Sequence, residues 1–169
     1  MTYIIGQILG IIAIILGFVS YQVKTQRQIL FVQTLTAAVF VAHYLLIGAM
    51  TAMAMNAVCI VRNFAYDVRN RKGWNSLAIP IAFTVLQAII GIITWQAWYS
   101  IFVFCGICIN TFCMSFRDPQ KVRASIIVTS PMVLTYDVFS QSIGGIVYEA
   151  VAIISAIIGF LRNRKKKNP

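Results

Sequence analysis

Seven apolar stretches, each about as long as a membrane crossing requires, leave this chain little freedom in what it can become. They predict helices over 3–22, 28–47, 50–67, 76–94, 98–116, 124–140 and 143–161, each within the roughly 17–25 residues that suit a bilayer-spanning helix. Of 169 residues, 60% are hydrophobic and 11% charged, whereas soluble domains carry about 25% charge. The expectation is an all-α membrane protein with no large soluble domain beside its helices. The first helix starts at Thr2 or Tyr3 with no Lys or Arg ahead of it. A signal peptide would need a basic start and a small-residue cleavage site, so this segment reads as a retained membrane helix.

The net charge of +10 invites a nucleic-acid partner, but its distribution argues for none. Thirteen of the fourteen basic residues fall in four places: Lys24 and Arg27; Arg69, Arg71 and Lys72; Arg117, Lys121 and Arg123; and Arg162 with Arg164 to Lys167. The turns near Gly48, Gln96 and Ser140 to Ser142 carry no basic residue. Seven crossings put every basic cluster on one side, which by the positive-inside rule predicts N-terminus out and C-terminus in. Trp95 and Trp98 then fall at the outer interface and Trp74 at the inner one. The Lys165 to Lys167 tail reads as an anchor at the anionic inner leaflet.

A repeat lies within the charge clusters. The third segment ends "DVRNRK" and the seventh "FLRNRKK", so Arg69 to Lys72 match Arg162 to Lys165 at an offset of 93. Tyr44 in "AHYLLIG" matches Tyr136 in "LTYDVFS" at an offset of 92. This predicts a triple-helix unit at 1–72, a linker helix at 73–96 and a second unit at 97–169. One connecting helix keeps the two units parallel, an arrangement used by transporters that hold substrate near the midplane between repeats.

With "SIGGIVYE" at 142–149, Arg62 following "HYLLIGAM", and the seven-helix plan, the whole chain resembles the YgjV-type bacterial inner-membrane proteins, small relatives of the SWEET and PQ-loop transporters. Two departures from SWEET stand out. That family has prolines in the first two helices of each triplet, whereas only Pro131 occupies such a place here. Pro119–Gln120 falls in an expected loop and does not count as a PQ-loop motif. The resemblance implies that the third helix of each triplet lines a substrate cavity, with Asn56 in the position of a solute-contacting Asn. It does not name a solute.

Three polar residues inside apolar segments are candidate substrate-binding groups: Asn56, Arg62 and Glu149. Intramembrane ionisable residues usually face the bundle interior and pair with one another, so Arg62 and Glu149 are expected to pair across the cavity. Glu149 as a group that merely fastens two helices, and Arg62 snorkelling to the inner surface, are the alternatives. Gly145, Glu149, Ala152 and Ala156 share one helical face, which should turn the carboxylate away from lipid. His43, Tyr44, Tyr136 and Asp137, near the outer helix ends, are candidates for a pH-sensitive gate, against the simpler reading that they are hydrated. Gln87 and Asn110 suit cavity or interhelix roles equally.

Cys59, Cys105, Cys108 and Cys113 all lie in apolar segments, and "CGIC" has no neighbouring His, so they read as small packing residues rather than metal or redox groups. No paired catalytic carboxylates, nucleophile with base, metal cluster or cofactor motif is present, so an enzyme is not expected. Two function classes remain. One is a facilitator or proton-coupled transporter of a small solute (a sugar, a zwitterion or an organic ion). The other is a non-transporting interaction or regulatory module with a sealed polar core. Either leaves room for a homo-oligomer in the bilayer.

Overall fold

The computed structural model describes the backbone of residues 2–164 and the side chains of Gly6 and residues 8–162; the expected Lys165 to Lys167 anchor lies outside the described residues. Seven helices are described: α1 (Thr2–Gln22), α2 (Gln26–Ile47), α3 (Met50–Arg71), α4 (Ala78–Ile93), α5 (Ser100–Cys113), α6 (Pro119–Phe139) and α7 (Ile143–Arg164). Three of them, Gln26–Ile47, Pro119–Phe139 and Ile143–Arg162, are long and apolar enough to cross a membrane by length and composition.

Local chemistry sets several boundaries. Thr25 and Gln28 exchange side-chain and backbone hydrogen bonds in a capping box that starts α2, and such caps contribute about 1 kcal/mol. Gly48 ends α2 at φ 80°, a left-handed conformation that glycine adopts without a Cβ penalty. The apolar pattern misplaces the start of α6. Asp118 caps the Gln120 N–H at 2.9 Å and Pro119 opens the helix, so Pro119 and Gln120 are helical residues, not loop residues. Proline costs nothing at a first turn, whose N–H has no helical partner anyway.

The helices form a ring in chain order. Each packs on its sequence neighbours, α7 returns to α1, and α3 meets α5 with α4 packed against both. α4 buries only Pro80, Gln87 and Gly91, a single stripe, so it covers the α3/α5 seam from outside. Its opposite face (Ile81, Val85, Ile89, Ile92) is exposed, as are Ile8, Ile11, Ile12 and Ile15 of α1. Such apolar outer faces suit lipid contact.

Contacts sort the ends of the ring. At one end the uncharged turns meet the start of α1: His43 bonds the Gly6 carbonyl and Ser142, Thr51 bonds the Thr94 carbonyl, and Gln96 bonds the Gly48 carbonyl at 3.2 Å. The basic residues gather at the other end, where several do structural work. Arg123 donates to the Tyr21 and Val23 carbonyls at 3.1 and 2.9 Å. Arg69 donates to the Ser76 and Ser115 carbonyls at 3.1 and 3.0 Å. Arg162 donates to the Gln22 carbonyl at 3.2 Å. Except for Ser76, which lies in the loop ahead of α4, these carbonyls sit in or just past the last turns of α1 and α5, the negative end of the helix dipole. Arg27 and Arg71 share the Asp67 carboxylate.

Candidate functional site

Inside the ring lies a cavity of about 80 Å³, whose lining includes Asn56, Arg62 and Glu149 with Gln33, Thr36, Asn110, Thr129 and Ser130. A water takes roughly 30 Å³ in the liquid, so the space equals about three waters. Tyr21, Phe40, Tyr44 and Tyr148 supply aromatic walls, and Cys59 lines one side as a free thiol. The lining comes from α1, α2, α3, α5, α6 and α7. The peripheral α4 contributes nothing to it.

Each of the three intramembrane polar residues has a distinct setting. Glu149 is 8% exposed and lies beside the Ser130 hydroxyl of α6. Ala152 and Ala156, on its own face, are fully buried, so the small-residue stripe of α7 does turn inward. Asn56 is half-buried and donates its amide N–H to the Ala52 carbonyl one turn back, at 2.9 Å. Arg62 is 2% exposed. Its Nε and Nη2 donate to Asn63 Oδ1 at 3.1 and 2.8 Å, and its Nη1 donates to Thr111 Oγ1 at 2.8 Å.

The expected ion pair is therefore a correction. Arg62 and Glu149 line the same cavity, but among the described residues the only ion pairs are those of Asp67 with Arg27 and Arg71. Arg62 turns sideways to α5, the nearest helix across its seam, where the Thr111 hydroxyl meets it. It is fully enclosed, so the snorkelling alternative fails too.

The outer-gate candidates are fully buried rather than hydrated; Tyr44 and Asp137 bond each other, His43 packs edge-on to Tyr44, and Tyr136 packs against Tyr99. His43 and Asp137 are 0% exposed, Tyr44 3% and Tyr136 1%. Tyr44 Oη donates to Asp137 Oδ1 at 2.8 Å, joining α2 to α6. His43 Nδ1 lies 2.7 Å from the Gly6 carbonyl, and its Nε2 lies 2.7 Å from Ser142 Oγ. A carbonyl only accepts, so Nδ1 carries hydrogen and, in the neutral ring, Nε2 accepts from Ser142. Ser142 Oγ also accepts the Gly145 N–H at 3.1 Å, capping α7. The second Asp137 oxygen lies against Gly145 and near the Ser142 hydroxyl.

The stretch 142–149 thus has an inward-facing residue at nearly every turn of contact. Ser142 caps α7 and meets His43. Gly144 touches the Gly10 backbone, where an added Cβ would lie 2.6 Å from the opposing Cα. Gly145 faces Asp137 and Tyr148 covers Gly17, while Glu149 reaches the cavity. Gln87 and Asn110 part company. Gln87 donates to the Met55 carbonyl at 3.1 Å and lies 3.3 Å from Cys59 Sγ, fastening α4 to α3, whereas Asn110 lines the cavity. Ser142 and Thr111 escape sequence reasoning as site residues. The one available signal was the spacing of Ser142 ahead of α7, which is that of an N-cap.

A family model described as a bacterial inner membrane protein, Imp-YgjV, matches residues 4–167. No curated protein and no solved structure matches the chain. With nearly the whole length matched, the chain belongs to the YgjV family of bacterial inner membrane proteins.

Proposed function

Taking membership of an inner-membrane family as the premise, we propose that this protein moves a small solute across the membrane by alternating access between two triple-helix bundles, α1–α3 and α5–α7. The observation that carries the reading is the central cavity, where a guanidinium, a carboxyl and several amide and hydroxyl groups converge from six helices. Membrane interiors hold ionisable groups at such cost that they usually mark pathways or binding sites. In this reading Asn56, Arg62 and Glu149 contact solute. His43, Tyr44, Tyr136 and Asp137 close the outer gate, and the transporter is a facilitator or proton-coupled.

The neighbour relations support the parallel repeat. Exchanging α1 with α5, α2 with α6 and α3 with α7 converts the α1/α7 contact into α5/α3, and the pairs within one triplet into those of the other. α4 alone has no counterpart. That pattern is what a two-fold axis along the membrane normal would give, and it favours kinship with the SWEET and PQ-loop transporters. Segregation of basic residues to one end favours seven crossings, with the N-terminus outside and the C-terminus in the cytoplasm.

The non-transporting module draws on a specific observation of its own: the uncharged end is closed by the His43–Ser142 and Tyr44–Asp137 bonds. In the transport reading these bonds are a shut gate, so the two readings differ in whether it opens. The purified chain should be reconstituted in proteoliposomes and uptake of labelled glucose, L-alanine and propionate measured. Saturable uptake of any one of them is the expected result. Absence of flux for all three, with Asn56→Cys inert to a membrane-impermeant thiol reagent from either side, would establish the sealed module instead.

A further inference from the structure

Arg62 is a buried cation with an incomplete set of partners. A guanidinium carries five N–H donors. Among the described residues three are used, two by Asn63 Oδ1 and one by Thr111 Oγ1, and both acceptors are neutral. One N–H remains on Nη1 and one on Nη2, the two nitrogens whose hydrogens form the fork that grips a carboxylate through parallel bonds. No described carboxylate lies within 4 Å of it, yet the residue is 2% exposed and lines the cavity. The Tyr66 ring lies 6.0 Å from the guanidinium carbon, at the outer reach of a cation–π contact, so no opposite charge compensates the cation in a low-dielectric interior.

We infer that the cavity takes a small carboxylate-bearing molecule, whose carboxylate lies on the two unused N–H groups of Arg62. This deepens the transport reading and rests on it. Three observations narrow the class. A volume of about 80 Å³ suits a molecule of only a few non-hydrogen atoms, the size of a short organic acid or a small amino acid. Hydroxyls of a sugar would occupy the N–H groups without neutralising the cation. A phosphate dianion would bring two negative charges to a cavity whose lining offers one cation, Arg62.

The far wall sorts the two sources of the carboxylate. Glu149, beside Ser130, would accept from the ammonium group of an amino acid and would offer nothing to a simple monocarboxylate. Asn56, its amide N–H committed to Ala52, has its carbonyl oxygen for the same ammonium group, whereas Arg62 can only donate. The cavity sets one donor, Arg62, against two acceptors, Glu149 on α7 and Asn56 nearer the start of α3, the polarity a zwitterion requires.

The test is isothermal titration of the full-length protein in nanodiscs with propionate, L-alanine and glucose as probes, followed by uptake in proteoliposomes. Propionate or L-alanine should bind and glucose should not. Arg62→Lys keeps the charge but not the fork, and should weaken carboxylate binding at least tenfold; Arg62→Gln should abolish it. If Arg62→Gln fails to fold, the Lys variant carries the test. Preference for L-alanine over propionate, lost in Glu149→Gln, identifies an amino acid; equal binding identifies an organic acid, and either supports the inference. Carboxylate binding unchanged in both Arg62 variants overturns it. Glucose binding and uptake without carboxylate binding also overturns it and leaves transport standing. No binding of any probe overturns it as well, and uptake in the same vesicles then shows whether transport falls with it.

Discussion

The ring closes through two seams that differ in how near the backbones come. Between α1 and α7 the backbones touch: Gly10 meets Gly144, Gly17 receives the Tyr148 ring, and Gly159 lies against the Tyr21 carbonyl. Toward the basic end Gln22 Nε2 donates to the Ser155 carbonyl and hydroxyl at 3.2 and 2.8 Å, Ser155 Oγ donates to the Phe18 carbonyl at 3.0 Å, and Arg162 donates to the Gln22 carbonyl. Between α3 and α5 long side chains reach across instead. Arg62 bonds Thr111 Oγ1, Tyr66 Oη donates to the Thr111 carbonyl at 2.8 Å, and Arg69 bonds the Ser115 carbonyl, with α4 packed over the outside. Glycine contact offers a smooth surface whose strength lies in dispersion and close approach. The polar seam is held by a few discrete bonds that are either made or broken. If the triplets rock, the glycine seam is the fulcrum and the polar seam is where the change registers, next to the cation that lines the cavity.

The largest expected effect breaks the glycine seam. In Gly144→Leu the new Cβ alone would sit 2.6 Å from the Gly10 Cα, and backbone cannot step aside as a flexible side chain can. The cost should reach or exceed the upper end of overpacking penalties, about 3 kcal/mol. Size-exclusion chromatography in detergent should show loss of the monodisperse peak. A normal peak with unchanged thermal stability would mean the seam is looser than described.

Next in size is Thr111→Val, which keeps the shape but removes the Arg62 acceptor while sparing the backbone carbonyl bonded by Tyr66. Stranding a buried charged donor should cost about 1–3 kcal/mol, read as a lowered midpoint of thermal unfolding. A neutral outcome would show that Arg62 does not fasten this seam.

The smallest effect tests whether the seams speak to each other through the cavity. Arg62 belongs to the polar seam and Glu149 to a helix of the glycine seam, and no ion pair joins them. A double-mutant cycle of Arg62→Gln and Glu149→Gln on thermal unfolding should give a coupling below about 1 kcal/mol, well under the 3–5 kcal/mol lost when one partner of a buried ion pair is removed. Coupling in that larger range would restore direct pairing.

Much of this was legible in the sequence because hydrophobic burial is written along the chain. Apolar length located the helices, and the inward position of Glu149 followed from the alanines and glycine on its face. That Asn56, Arg62 and Glu149 share a cavity followed from the cost of placing any of them in lipid. What the spacing could not carry was direction around the ring. Which way Arg62 turns depends on which helix stands beside α3, and its partner Thr111 is one hydroxyl among many. The start of α6 was hidden because its first turn is polar and has no apolar period. Arg69 and Arg123 read as charge alone, since their work on the ends of α5 and α1 is set by packing.

The contact between Gly10 and Gly144 also imposes an order on the making of the protein. α1 and α7 are partners, so the ring cannot close until α7 has been made. At about 5–20 residues per second, α1 spends roughly 7–27 s in the membrane before its counterpart arrives. Throughout that interval its glycine face must rest on lipid or on an insertion factor. Synthesis, rather than the finished fold, is the stage at which this chain is most exposed to misassembly, and a substitution on that face can act there long before any solute is met.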